Sequence, residues 1–380
     1  MAQSASVLGG LNESVFPVEL TRPISTAVAE STTFDDIDYS LIPDEGFGMC
    51  VYEKHGASFL PAIYCIFFIL GFVGNSLVVW VLVCEVRLRN MTDVCLLNLA
   101  IADLLLVGSL PFLAYQVHDQ WIFGDTMCKV VLGIYYIVLY SGIFFIVVMS
   151  IDRYLAIVHA VYAMRARTCF FGIIAAGVTW VAGFLASFPE LLYLKQQPDH
   201  MNATFCYAVY EPFTSDNSDS YWRVFGLMKM NILGLLLPMV IMSFCYLQII
   251  RRLLSCQSSK RQTIQLVVIV VAVFFICWGP YNIVVLFKAL ELLQVYTECK
   301  SSQVIRLAIQ ITEVVAYFHS CLNPALYVFV GRKFRRHLLR LIHRLPCGLC
   351  QLVKVFIPQQ QSIRSDISRT TSLVERSTAV

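Results

Sequence analysis

Seven apolar runs govern what this chain can fold into, at residues 58–84, 92–117, 127–152, 168–191, 224–250, 264–288 and 304–329. A hydrocarbon core of about 30 Å is crossed by about 20 apolar residues in a helix. Aqueous cores rarely produce seven runs of that length. With 58% hydrophobic and 14% charged residues, the chain also falls well below the roughly one quarter charged of soluble domains. The expected fold is an all-α membrane protein, a seven-transmembrane helix bundle.

Charge placement orients the bundle. Basic residues follow the odd-numbered runs: Arg87 and Arg89, then Arg165 and Arg167, then Arg251, Arg252, Lys260 and Arg261. Arg332, Lys333, Arg335, Arg336, Arg340 and Arg344 follow run seven. Short basic loops face the cytoplasm, which predicts a multi-pass plasma-membrane protein with its N-terminus extracellular. The glycosylation sequons at Asn12 and Asn202 then both fall outside. No basic start precedes an early apolar stretch, so no cleavable signal peptide is expected and run one directs insertion. The lipid bilayer is an expected partner, and nucleic acid is not.

Four of the fourteen cysteines lie outside or at the outer rim: Cys50, Cys128, Cys206 and Cys299. That face is oxidising, and four cysteines allow three pairings. Cys128–Cys206 and Cys50–Cys299 are favoured, because each ties a loose segment to a helix end; free thiols are the alternative.

Four regions are expected. Residues 1–57 form an extracellular tail with nine acidic residues against Arg22 and Lys54, suited to a basic partner; a solvated tail is the plainer reading. Asp35, Asp36 and Asp38 surround Tyr39 there, a setting that suits tyrosine sulfation. Residues 58–329 form the bundle, where Pro238, Pro280 and Pro324 interrupt runs five, six and seven and kink their helices. Residues 330–346 read as an amphipathic eighth helix on the inner leaflet, followed by Cys347 and Cys350 as palmitoylation candidates. Residues 347–380 form a cytoplasmic tail rich in Ser and Thr.

The motifs narrow the class. "SIDRYLAIVHAVYA" ends run three, and it joins "GNSLVVW" in run one, "LNLAIADLLL" in run two, "CWGPY" in run six and "NPALY" in run seven. Together they resemble the rhodopsin-like G-protein-coupled receptors over residues 55–345. "DQWIFGDTMCK", "KMNILGLLLPM" and the four outer cysteines resemble the CC class of chemokine receptors, in its type 8 and type 4 branch.

That resemblance implies a cell-surface receptor whose ligand is a basic chemokine. It also implies an inhibitory-class heterotrimeric G protein and arrestin as cytoplasmic partners, with roles in leukocyte chemotaxis and calcium signalling. It places Glu313 at a pocket floor with Tyr64, Tyr135 and Tyr281, in a cavity open to water, with a resting bond from Tyr64. Asp35, Asp36, Asp38 and Tyr39 would meet the ligand first. Asp103, Asp152, Arg153, Tyr154, Trp278, Pro280, Asn323, Pro324 and Tyr327 match the family's activation switch, with Asn75 beside them in the polar core. Asp152 would restrain Arg153 at rest. Gly142 replaces the serine that helps many relatives bind sodium at the position of Asp103, so no metal and no cofactor is expected; an Asp103–Asn323 pair that merely fastens helices is the alternative.

Two departures from the chemokine-receptor pattern occur in run two. Ser109-Leu110-Pro111 replaces Thr-x-Pro, and Leu113 replaces a tryptophan. Serine still bonds a preceding carbonyl, so the kink is expected to survive in a less aromatic pocket.

Other classes fit less well. A transporter or channel needs a polar stripe or an inverted repeat, and the runs offer isolated polar residues. An intramembrane protease needs a nucleophile and base or two facing aspartates, and Asp103 has no such visible partner. A chemokine scavenger that does not signal is closer, but "DRYLAIV" is intact. No enzymatic activity is expected.

Overall fold

The computed structural model describes residues 58–86, 88–161, 163, 167–198, 203–210, 218–255, 261–295 and 298–330. The expected acidic tail, the amphipathic helix beyond Val330 and the Ser/Thr-rich tail lie outside them. So do Asn12, Asp35, Asp36, Asp38, Tyr39, Asn202, Cys347 and Cys350, and the Cys50–Cys299 pair through Cys50 and the side chain of Cys299.

Seven long helices carry the seven runs. Helix α1 spans Leu60–Trp80 and continues as a π-helical stretch, Val81–Val86. Then come α2 (Met91–His118), α3 (Gly124–Val158) and α4 (Cys169–Tyr193). Helix α5 runs in three stretches, Ser218–Asn231, π-helical Ile232–Leu236 and Leu237–Ser255. Helices α6 (Arg261–Leu292) and α7 (Cys299–Val330) complete the set. Among the described residues, six helices are long and apolar enough to cross a membrane. Helix α7 has the length, at 32 residues, but Glu313, His319 and Asn323 dilute its apolar character.

Local chemistry sets the helix ends and kinks. Pro61 opens α1, where its missing N–H costs nothing. Thr168 caps α4 by accepting a bond from the Phe171 amide at 3.4 Å. In α5 the π-helical widening ends just before Pro238, making room for a ring that would strike the carbonyl four residues back. Pro111, Pro280 and Pro324 lie inside their helices. Ser109 Oγ donates to Leu106 O at 2.7 Å, the back-bond expected beside Pro111.

Helix α3 is the central post, packed against α2, α4 and α5, while α1 packs on α2. Small residues allow the closest approaches. A Cβ at Gly183 would lie 1.9 Å from Ser141 Oγ, and one at Gly71 would lie 2.6 Å from Val107 Cγ1. Long apolar side chains on the bundle's outer surface, such as Ile69, Ile173, Val181 and Leu247, are exposed, as lipid-facing residues must be.

One end of the bundle carries an antiparallel hairpin, β1 (Leu194–Pro198) with β2 (Thr204–Ala208), pairing Gln196 with Cys206. Cys206 is bonded to Cys128 at the start of α3, with Cα atoms 5.5 Å apart, as the sequence predicts. Gln116 of α2 brackets the same residue, accepting from the Cys206 amide at 2.9 Å and donating to its carbonyl at 3.3 Å. The hairpin is thereby fastened to α2 and α3.

The chain divides into two compact units, Met1–Leu326 and Tyr327–Val380. The bundle described above, up to Leu326, belongs to the first.

Candidate functional site

Toward the hairpin end, a buried carboxylate bonds Tyr317, and further buried tyrosines from other helices lie about that residue. Tyr64 of α1, Tyr135 of α3, Tyr281 of α6 and Glu313 of α7 are all buried, Glu313 to 1% exposure. Tyr317 joins them. Its Oη lies 2.7 Å from Glu313 Oε1 and 2.9 Å from Tyr135 Oη. A phenol has one proton, and the carboxylate is the stronger acceptor. Tyr317 therefore donates chiefly to Glu313 and also reaches Tyr135 Oη, which links α3 to α7 through one shared hydroxyl. The rings of Tyr64 and Tyr135 stand edge-on to Tyr317, with centroids 5.8 and 6.1 Å away.

Two expectations need correction. Tyr64 does not bond Glu313, and its hydroxyl has no hydrogen-bond partner among the described residues. Tyr317 lies four residues beyond Glu313 on the same helix, where side chains stack on one face, and it takes that place. The Glu-x-x-x-Tyr spacing was the available signal. Nor is Glu313 open to water: only 1% of its surface is exposed, and Tyr317 rather than solvent bonds its carboxylate.

Deeper in the bundle, Asn323 Nδ2 donates to Asp103 Oδ2 at 2.7 Å, the pairing given above as the alternative for Asp103. Asn75 Nδ2 donates to Gly71 O at 2.9 Å and to Ser320 O at 3.1 Å, joining α1 to α7 beside Pro324. Beyond α3's own backbone, no atom of the described residues lies within 4 Å of the Cβ position at Gly142. Trp278 is buried with its Nε1 unpaired among the described residues, edge-on to Tyr281 at 6.4 Å. Leu113 is fully buried. Tyr327 is half-buried on α7 and begins the second unit.

At the opposite end Asp152 is fully buried, and its partner is not Arg153. Arg167 grips it with a fork, Nε to Oδ1 at 2.6 Å and Nη2 to Oδ2 at 3.0 Å. Thr92 Oγ1 donates to Oδ2 at 2.6 Å. The Asp152 bond raises the Arg167 pKa above its already high ordinary value. Arg153 is exposed, and no hydrogen bond or ion pair joins it to Asp152. The expected Asp152–Arg153 restraint is corrected accordingly: neighbours in sequence on a helix point about 100° apart, so one faces inward while the other faces out. Tyr154 Oη meets His159 Nε2 at 3.0 Å.

A buried ion pair between α4 and α5 was not foreseen. Lys229 donates to Glu190 Oε2 at 2.5 Å and to Ala186 O at 2.6 Å, with its ammonium 5.3 Å from the centre of the Tyr140 ring. Exposure of the two side chains is 10% and 6%. No spacing rule connects residues on separate helices, so the sequence carried no signal for it.

The buried tyrosine–carboxylate cluster thus lies toward one end of the helices and the exposed Arg153 toward the other. Residues 74–327 match the family "7 transmembrane receptor (rhodopsin family)". The chain is 42% identical over 340 residues to C-C chemokine receptor type 3 of Cavia porcellus, covering 89% of this chain and 92% of that protein. It is 45% identical over 291 residues to human C-C chemokine receptor type 1 (76% and 81% covered) and 44% identical over 310 residues to human type 4 (80% and 84%). The chain belongs to the rhodopsin family of seven-transmembrane receptors and, within it, to the CC chemokine receptors. It is a multi-pass membrane protein and not an enzyme. Identities of 42–45% to three types are too alike to assign it to one of them.

Proposed function

We propose that this protein is a plasma-membrane receptor, N-terminus outside, that couples a basic CC chemokine to an inhibitory-class heterotrimeric G protein and then to arrestin, directing leukocyte chemotaxis and calcium signalling. The observation that carries this reading is the buried carboxylate of Glu313, bonded to Tyr317, on whose ring Tyr64 and Tyr135 pack edge-on. A charge held in a poorly hydrated site has most to gain from an entering amine or basic side chain. The Tyr317–Tyr135 bond then ties ligand entry to a rearrangement between α7 and α3.

Asp35, Asp36, Asp38 and a sulfated Tyr39 make the first, electrostatically steered contact. Cys50–Cys299 holds the tail near the pocket. Glycans at Asn12 and Asn202, and acyl chains on Cys347 and Cys350, complete the surface and the membrane anchor. Ligand binding favours a second bundle arrangement, transmitted through Trp278 and Pro280 on α6 and through Asp103, Asn323, Pro324 and Tyr327. Asp152, Arg153 and Tyr154 present it to the G protein.

Inhibition of cAMP formation by CC chemokines in expressing cells, with and without toxin blockade of the inhibitory G protein, tests this. Toxin-sensitive inhibition is expected. Ligand uptake without it identifies a scavenger.

A further inference from the structure

Resting on the receptor reading above, we propose a second cation subsite, on a different face of α3 from the Glu313 cluster. Its acceptor is the unused oxygen of Glu190. Its ligand is an ammonium or guanidinium head on the basic partner.

The carboxylate is held in place from within. Glu190 of α4 is 5% exposed. Lys229 of α5 bonds its Oε2 and the carbonyl of Ala186, with the ammonium 5.3 Å from the centre of the Tyr140 ring. Carboxylate, carbonyl and ring face together recognise an ammonium ion, so Lys229 is committed and fixes the orientation of Glu190. Among the described residues, only Lys229 bonds this carboxylate, and only at Oε2. An ionised carboxylate accepts at both oxygens, which leaves Oε1 in reserve.

A glycine keeps that oxygen uncovered. Gly226 lies three residues before Lys229 on α5, on the same helix face. A Cβ there would sit 3.2 Å from Glu190 Oε1 and 3.7 Å from Tyr210 Oη. The missing side chain leaves a gap bordered by a carboxylate oxygen and a phenol hydroxyl. Two cations share a buried carboxylate only where every hydrogen bond is met, and Tyr210 Oη offers the incoming head its second acceptor. Tyr210 follows β2, so the gap belongs to the hairpin end, as the Glu313 cluster does.

Helix α3 relates the two carboxylates. Tyr135 bonds Tyr317, the partner of Glu313, and Tyr140 faces Lys229. Five residues separate these tyrosines, about 7.5 Å along the helix and about 140° around it. A ligand with one cation satisfies one carboxylate, and a ligand with two at the right spacing satisfies both. Glu190 is thereby a specificity-determining residue.

The full-length receptor in lipid nanodiscs, carrying Glu313→Gln to silence the first carboxylate, is melted in rising millimolar methylguanidinium. A saturable rise in melting temperature is expected, with none from tetramethylammonium, which has no N–H to donate. Gly226→Ala fills the gap and leaves the ion pair intact, and it should abolish the rise. The double variant Glu190→Gln/Lys229→Met should do the same, and it decides alone if Gly226→Ala does not fold. No saturable rise, an equal rise with tetramethylammonium, or a rise that survives these variants overturns the subsite. With Glu313 intact, Gly226→Ala should weaken binding of a CC chemokine several-fold. That loss should vanish once one particular basic residue of the chemokine is replaced by alanine. No loss, or a loss additive with every such replacement, overturns the role in ligand recognition. If methylguanidinium binds as expected and no CC chemokine binds wild type, the functional reading fails while the subsite stands.

Discussion

Tyr317 donates a hydrogen bond to Glu313 from one turn further along the same helix, at 2.7 Å. That bond explains how a carboxylate persists at membrane depth, where an unsatisfied charge costs several kcal/mol or more. An entering cation therefore meets a prepared partner and a relay that already reaches α3 through Tyr135.

The approach of α3 and α4 leaves no room at Gly183, where a methyl group would sit 1.9 Å from Ser141 Oγ. Gly183→Ala should lower stability by about 1–3 kcal/mol, the usual range for overpacking, read as a lower melting temperature of the purified receptor. Adding Ser141→Ala removes the closest atom and should recover part of the loss. An unshifted melting temperature would mean that the two helices are not held this close.

Glu190 and Lys229 form a nearly dry ion pair, and removing one partner strands the other. Glu190→Gln or Lys229→Met should each destabilise by about 3–5 kcal/mol and reduce surface expression. Replacing both with apolar residues of similar size should bring most of it back. Additive losses would show that the two side chains do not depend on each other.

Cys50→Ala should reduce chemokine binding, with Cys299→Ala behaving alike and the double variant no worse. Partners in one bond fail together, and independent sites add. Saturation binding on cells separates the two cases.

Neutralising Asp35, Asp36 and Asp38 together should slow chemokine association and flatten its dependence on ionic strength. Stopped-flow or surface-binding kinetics at several salt concentrations measure both. An unchanged rate and salt slope would place the steering charge elsewhere.

The seven helices were legible because length and apolarity alone demand them, and the Cys128–Cys206 bond because topology leaves few oxidised cysteines to pair. Asp103–Asn323 followed from motif positions. Tyr64, Tyr135, Tyr281 and Glu313 are buried, but the bonding of Glu313 was not legible. Tyr317 shares a helix face with Glu313, and proximity on one helix outweighed the cross-helix partner expected at Tyr64. Arg167 and Lys229 stayed hidden for a different reason. Their partners Asp152 and Glu190 lie 15 and 39 residues away, on other elements, and only the packing of helices brings them together. Local periodicity reports which face is buried, not which buried charge meets which.

Glu313→Gln keeps the side-chain shape and deletes the charge, so it tests the central claim most directly. A lost charge-assisted bond costs about 1.5–3 kcal/mol, which an extended chemokine interface can largely absorb. The balance between inactive and active states responds to differential contacts alone. Chemokine binding and cAMP inhibition should be measured on the same cells at matched surface expression. The account predicts a clear fall in potency or efficacy with a much smaller change in equilibrium binding. Equal, parallel losses, or no loss in either, would contradict it.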